Sequence, residues 1–441
     1  MGRSNSPFSV ILDLAKRPGV KEHSTAALNM LTPSCAYEER CAAKPSGADR
    51  DSGECEPWCR VLAGSGVRKT ETRTVTSVAT SSAGTDQPIQ AADVEAANIS
   101  LGDCCARIAV DANASRIYVE RGQIVPGASS LNFSLTVIDA SSNTVVANVS
   151  LPPILPTSVP CSDLAVDDST GMVYAIFARE IVEVNGSTDA VTGEVPLSPT
   201  LTFAFICGLT ATSLDSSTHV LWGPVTAQQP GESGDKIGSV MGVNVLTGSV
   251  VENVSLGFAP LEVAVDPYTG MVSADGCMGE SADLCNSQQL AIIKGNSGSL
   301  VTTVSLDSPI YSPIAMDPST DIVHIAAGSQ LVAVNGTSGN VIFKVYPQTC
   351  WPFSIAVISS LDQAAMVPVN YNYLLVYDGA TGTLVNMYSF SPDFPSFAGY
   401  DANTGELYVF VGISPDLIAL HDVQATGNVN TTLIDVGCGA A

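Results

Sequence analysis

Five segments of this chain are copies of one motif: IAVDANASRIYVE after Arg107, LAVDDSTGMVYAI after Asp163, VAVDPYTGMVSAD after Glu262, AMDPSTDIVHIAA after Ile314 and AGYDANTGELYVFV after Phe397. Each reads as an apolar strand closed by Asp, a turn of the form x-x-Thr-Gly, and a second alternating strand. Asp bonds its own backbone two residues on and Gly accepts positive φ, so the turn makes a hairpin. A second motif follows each copy: TVIDASSNTVVANVSL after Leu135, VEVNGSTDAVTGEVPL after Ile181, GVNVLTGSVVENVSL after Met241, AIIKGNSGSLVTTVSL after Leu290, VAVNGTSGNVIFKVY after Leu331 and LVYDGATGTLVNMYSF after Leu374. It too is strand, Gly-containing or polar turn, strand.

One unit therefore supplies four short antiparallel strands over roughly 41 to 56 residues, the size and content of a propeller blade. A four-stranded sheet of this kind buries both apolar faces only by stacking on two neighbours, and circular closure removes the exposed ends of the stack. The predicted fold is all-β, a β-propeller of about seven blades starting near Cys105, Pro160, Phe205, Pro260, Pro313, Pro352 and Phe394. The third unit is degenerate, with ATSLDSSTHVLWG in the hairpin position after Thr210, and the sixth replaces the turn Asp within Val357-ISSLDQAAMV. Upstream, Asp93-VEAANISL matches a fourth strand, and Arg73-TVTSVATS reads as a strand before it. The last unit also offers a fourth strand of its own, Val429-NTTLIDV, so ring closure has two candidates.

The hairpin IAVD-x-x-TG-x-hY followed by L-x-V-h-(D/N)-x-x-TG-x-V resembles the YVTN or YncE-like β-propeller repeats of the quinoprotein-dehydrogenase-like superfamily, over about residues 93 to 436. The resemblance implies the architecture. It also implies company that includes cell-surface and surface-layer proteins, periplasmic binding proteins, lactonases and subunits of amine dehydrogenases, all sharing the repeat, so it does not select a function.

Charge divides the chain in two. Residues 1–73 hold 11 of the 18 Lys and Arg against 9 acidic residues, whereas residues 74–441 hold 7 basic and 34 acidic side chains. After Arg179 the only Lys or Arg residues are Lys236, Lys294 and Lys344, so no basic stripe exists to neutralise phosphates, which excludes nucleic acid as a partner. Nor does any run of 18 apolar residues occur, so no membrane-spanning helix is expected. Residues 1–68 are predicted to be an irregular segment, disordered or disulfide-linked, preceding a propeller over 69–441. The apolar run from Phe8 to Leu12 is interrupted by Asp13, Lys16 and Arg17, short of a secretory signal.

Twelve cysteines and eight Asn-x-Ser/Thr sequons point the other way, to an extracellular or cell-surface glycoprotein. The sequons are Asn98, Asn113, Asn132, Asn148, Asn185, Asn253, Asn335 and Asn430. Cys104, Cys105, Cys161, Cys207 and Cys350 precede first strands, which in a propeller line the channel, so they gather near one mouth. Disulfides among them, with Cys438 at the closure, are favoured over a soft-metal site because no His lies near. Cys277 and Cys285 bracket a short loop that a local disulfide can close. Cys35, Cys41, Cys55 and Cys59 admit two further bridges or a four-thiolate zinc site.

Chemistry is sparse. HExxH, GxSxG, the Walker loop and GxGxxG are missing, so no catalytic residue and no cofactor are assigned. Propeller lactonases need acidic and basic or metal-binding side chains converging at the channel, and no such set matches here residue by residue. Of four histidines, His23 lies in the irregular segment, His324 takes the place of the hairpin aromatic and reads as core, and His219 and His421 fall in or beside strands. Asp111, Asp167, Asp266, Asp317 and Asp401 suggest a carboxylate ring, but their place before turns makes them turn residues. The longest insertions, Gly122-QIVPGASS, Gly223-PVTAQQPGESGDK and Asp275-GCMGESADLCNS, all join second to third strands and project from one face. That face is the expected contact surface for a protein or glycan partner. The reading favoured is therefore a non-enzymatic surface propeller that binds a protein, glycan or small ligand; the alternative is a propeller enzyme, lactonase-like or an oxidoreductase subunit.

Overall fold

A computed structural model of the chain describes residues 71–77, 92–101, 105–124, 131–153, 162–177, 179–197, 203, 212–226, 238–278, 287–306, 313–327, 330–346, 352–368, 371–390, 395–411 and 416–420. Two N-terminal strands, β1 (Glu71–Ser77) and β2 (Ala92–Ser100), come first. Blade 1 follows as β3 (Cys105–Asp111), β4 (Arg116–Ile124), β5 (Leu131–Asp139) and β6 (Thr144–Ser150). Blade 2 is β7 (Ser162–Asp167), β8 (Met172–Phe177), β9 (Glu180–Asn185) and β10 (Ala190–Pro196), and blade 3 is β11 (Ser213–Asp215), β12 (Val220–Thr226), β13 (Gly238–Asn244) and β14 (Ser249–Ser255). Blade 4 is β15 (Ala259–Asp266), β16 (Met271–Met278), β17 (Ser287–Lys294) and β18 (Ser299–Ser305), and blade 5 is β19 (Ile314–Asp317), β20 (Ile322–Ala327), β21 (Gln330–Asn335) and β22 (Val341–Val345). Blade 6 is β23 (Pro352–Ile358), β24 (Gln363–Pro368), β25 (Tyr373–Asp378) and β26 (Leu384–Ser389); β27 (Pro395–Asp401), β28 (Glu406–Val411) and β29 (Asp416–Leu420) begin blade 7. Strand order within every blade is sequential and antiparallel, which is the seven-bladed propeller expected.

The two degenerate repeats keep their places. In blade 3 the described inner strand shrinks to Ser213–Asp215, and in blade 6 Ile358 stands where the turn Asp would be, followed by a 3-10 turn, Ser359–Leu361.

Closure is decided in favour of the upstream segment. β2 pairs with β29 from Ala96↔Leu420 to Ser100↔Asp416 and so becomes the fourth strand of blade 7. Both edges of β29 are then taken, by β28 and β2, which leaves no place beside it for the segment beginning at Val429. That segment lies outside the described residues. β1 adds a fifth strand: it pairs along its length with β2 and, through Thr76↔Ser389 and Ser77↔Tyr388, with the outer strand of blade 6. One continuous nine-stranded sheet thus joins blades 6 and 7.

Turn chemistry explains the repeat signature. Among the described residues thirteen have positive φ, each the fourth residue after the strand that leads into a turn within a blade. Seven are Gly; Ser115, Asn143, Asp189, His219, Asp321 and Asp362 take the position elsewhere. The Asp before each first turn accepts the turn's own N–H groups, as Asp167 does from Ser169 (3.0 Å) and Asp266 from Tyr268 (2.8 Å). The repeated aspartates are therefore turn residues, as their spacing suggested.

Seven apolar clusters fill the seven blade boundaries, one each. The one between blades 7 and 1 contains Ile99 and Leu101 from β2, so closure buries N-terminal apolar side chains as well as pairing backbone. Inner strands lie closest to the axis, where the wedge is narrowest. Two residues before the turn Asp, or its equivalent, stand Ala109, Ala165, Ser213, Ala264, Ala315, Ala356 and Gly399, all small. At Gly399 a Cβ would sit 3.2 Å from the Val110 side chain of the next blade, so even an alanine there would have to press Val110 aside by a few tenths of an ångström. Farther out, Tyr118, Tyr174, Trp222 and Tyr408, third in their second strands, are buried against the following blade. No helix among the described residues is long and apolar enough to cross a membrane.

Candidate functional site

The inner strands β3, β7, β11, β15, β19, β23 and β27 contact one another in order round the axis. Four residues before the turn Asp, on the side facing the next blade, three of them carry charge: Arg107, Asp163 and Glu262. These are the residues that immediately precede the IAVD, LAVD and VAVD segments. Sequence reading passed over them as motif flanks, although a charge on an inner strand of a close-packed ring was itself the signal.

Arg107 spans three blades. Its Nε lies 3.3 Å from Asp163 Oδ1 of blade 2, and its guanidinium stands 5.0 Å from the ring centroid of Phe397 in blade 7. Asp163 in turn accepts the Thr212 N–H and, at 3.2 Å, the Thr212 hydroxyl, at the entry to blade 3. Glu262 does the same two boundaries on, accepting the Ile314 N–H of blade 5 at 2.9 Å. Each acid thus ties its blade to the next inner strand.

Second strands add two more carboxyls on the same side. Glu120, opposite Arg107, accepts the Ser162 hydroxyl of blade 2, and its other oxygen has no hydrogen-bond partner. Asp275, opposite Glu262, accepts Gln288 Nε2 at 2.8 Å. Burial pushes Glu120 up to about 8 against the pull of Ser162 and Arg107. Burial also raises Asp275 to about 7, raises Glu262 with the help of the neighbouring Asp275 charge, and raises Asp163 despite Arg107. The belt holds four buried carboxyls and a single guanidinium.

The histidines divide. His219 Nδ1 lies 2.7 Å from Asp167 Oδ2 and links the turns of blades 2 and 3; burial raises Asp167, but its bonds to Ser169 and His219 outweigh that and hold it below the usual carboxylate range. His324 occupies the aromatic position of blade 5, fully buried, 6.4 Å from Phe343, with neither ring nitrogen hydrogen-bonded; burial lowers it to about 4. His23 and His421 lie outside the described residues.

Among the cysteines, Cys277 is buried in β16 and disulfide-bonded. Cys105 begins β3. Cys35, Cys41, Cys55, Cys59, Cys104, Cys161, Cys207, Cys285, Cys350 and Cys438 lie outside the described residues. Of the sequons, Asn132, Asn148 and Asn253 are exposed. Asn113 is exposed but donates to the Asp168 carbonyl, while Asn185 and Asn335 are engaged within turns. Asn98 sits in β2 between β1 and β29, and Asn430 is outside the described residues. Among the described residues no three His, Cys, Asp or Glu side chains converge as a metal centre.

No family model matches the chain, and no curated protein matches it. Solved structures do. The β-propeller domain of Cps50 (Swd1) from Myceliophteria thermophila is similar with a TM-score of 0.50 at 9% identity, over 71% of this chain and 95% of that one. Hydrazine synthase from Kuenenia stuttgartiensis is similar with a TM-score of 0.53 at 11% identity, over 72% and 96%. At such identities the likeness is one of fold alone.

Proposed function

We propose that this chain is an extracytoplasmic or cell-surface propeller of the YVTN/YncE-like type, a non-catalytic module that engages a protein or glycan partner through the loops joining second to third strands. The observation that carries this reading is the use made of the buried acids. Asp163 and Glu262 accept amides of the following blade, Glu120 accepts Ser162, and Asp167 closes two turns, so the ionisable groups bind the ring together rather than meet in an open site. The disulfide at Cys277 and the exposed Asn132, Asn148 and Asn253 favour the extracytoplasmic half of the proposal.

The near-neutral Glu120 and Asp275 favour a second reading, a propeller hydrolase using a carboxyl as acid. Thiol counting on non-reduced protein, with elemental analysis for copper and zinc, separates a thiolate metal enzyme from the binding module. The binding module is expected to show its propeller cysteines oxidised and neither metal present. Several free thiols with one stoichiometric copper or zinc would overturn it.

A further inference from the structure

The boundary between blades 4 and 5 lacks something its counterparts have. Where Tyr118, Tyr174, Trp222 and Tyr408 fill the space toward the next blade, blade 4 carries Ser273. Blade 6, with Ala365 there, compensates with Tyr388 and Phe390 in its boundary cluster. The cluster between blades 4 and 5 contains no aromatic ring: it is Met271, Leu290, Ile292, Leu306, Ile314, Ile325 and smaller aliphatic neighbours. Ser273 thus presents a short polar side chain to the space toward blade 5, at the position that a ring takes in four other blades.

Polar groups line that space. Ser273 is fully buried and its hydroxyl has no hydrogen-bond partner. Asp275 stands two residues along the same strand, hence on the same face, also fully buried, with Oδ1 unpartnered. Glu262 lies directly opposite Asp275 and is 7% exposed. Two carboxylates held together away from water require a compensating positive charge, a proton or a cation.

We propose that Glu262, Asp275 and Ser273 form a site for one hard divalent cation, calcium, between blades 4 and 5. Two carboxylates and a hydroxyl suit an oxygen-seeking ion with flexible coordination, and the unpartnered Ser273 hydroxyl and Asp275 Oδ1 are the oxygens it would engage. With only two charged ligands the affinity falls in the range of extracellular calcium modules, about 0.1 to 1 mM. Magnesium, which keeps its waters and demands strict octahedral geometry, binds more weakly here.

The test uses the full chain treated with EDTA and then titrated separately with calcium and magnesium chloride, reading thermal unfolding and binding heat. The expected result is a rise in Tm of about 2–4 °C at 5 mM calcium, smaller with magnesium. Asp275→Asn is expected to lose the response. Ser273→Tyr, which restores the ring found in other blades, is expected to fold and to lose it as well. The proposal is overturned if calcium leaves the wild type unmoved, if magnesium acts more strongly than calcium, or if both variants respond as the wild type does.

Discussion

Arg107→Ala is expected to lower stability by roughly 3–5 kcal/mol, the cost of leaving buried acids without their cation. The guanidinium is the only positive charge in the belt. Its removal strands Asp163 and takes away the contact with Phe397 across the closing boundary. Arg107→Met, which keeps most of the side chain's bulk, is expected to lose nearly as much, because charge rather than volume is the dominant loss. The deficit should shrink toward pH 5, because burial raises the affinity of Asp163 for protons and a protonated acid no longer needs a partner. Denaturant midpoints at pH 5 and pH 7.5 check this; equal loss at both pH values would mean that packing, not charge, holds the arginine in place.

Stability is also expected to fall as pH rises from about 4.5 to 8. Glu120 titrates near 8 in the folded chain against 4.5 ordinarily, and Asp275 near 7 against 3.8. Between each pair of values the folded state holds a proton that the unfolded state has released, so raising the pH favours unfolding. Glu120 alone accounts for up to roughly 5 kcal/mol at 1.36 kcal/mol per pH unit. His324 acts in the opposite sense: lowered from 6.5 to about 4, it weakens the fold as pH drops through that interval. Two acids outweigh one imidazole, which places the optimum at about pH 4–5, above the range where Asp167, whose affinity for protons is lowered, begins to cost stability. Thermal unfolding in EDTA across pH 4.5 to 8 measures the profile, and Glu120→Gln should flatten its alkaline side. A profile rising toward pH 8 would contradict this assignment.

The hairpins were legible because their signals are local: Asp, Thr and Gly fix each turn within five residues, and alternation fixes each strand. Blade boundaries were not legible in detail. His219 meets Asp167 and Asp163 meets Thr212 only because neighbouring turns and inner strands come side by side, about one repeat apart. Arg107, Asp163 and Glu262 stood in a column of the aligned motif, as did Ser273 among the tyrosines, and each departed from the pattern around it. Their meaning depended on which side of the strand faces the next blade. Closure was ambiguous for the same reason: Asp93-VEAANISL and Val429-NTTLIDV both have the pattern of an outer strand, and only pairing with β29 distinguishes them.

That closure is the point on which the ring depends, and hydrogen exchange followed by mass spectrometry on the full chain tests it most directly. Because β2 lies between β29 and β1, its amides and those of β29 should exchange slowly and together, at a rate matching β25 in blade 6, and removal of residues 1–101 should release β29 from protection. Fast exchange throughout Ala92–Ser100 while Asp416–Leu420 remains protected would show that another strand completes blade 7.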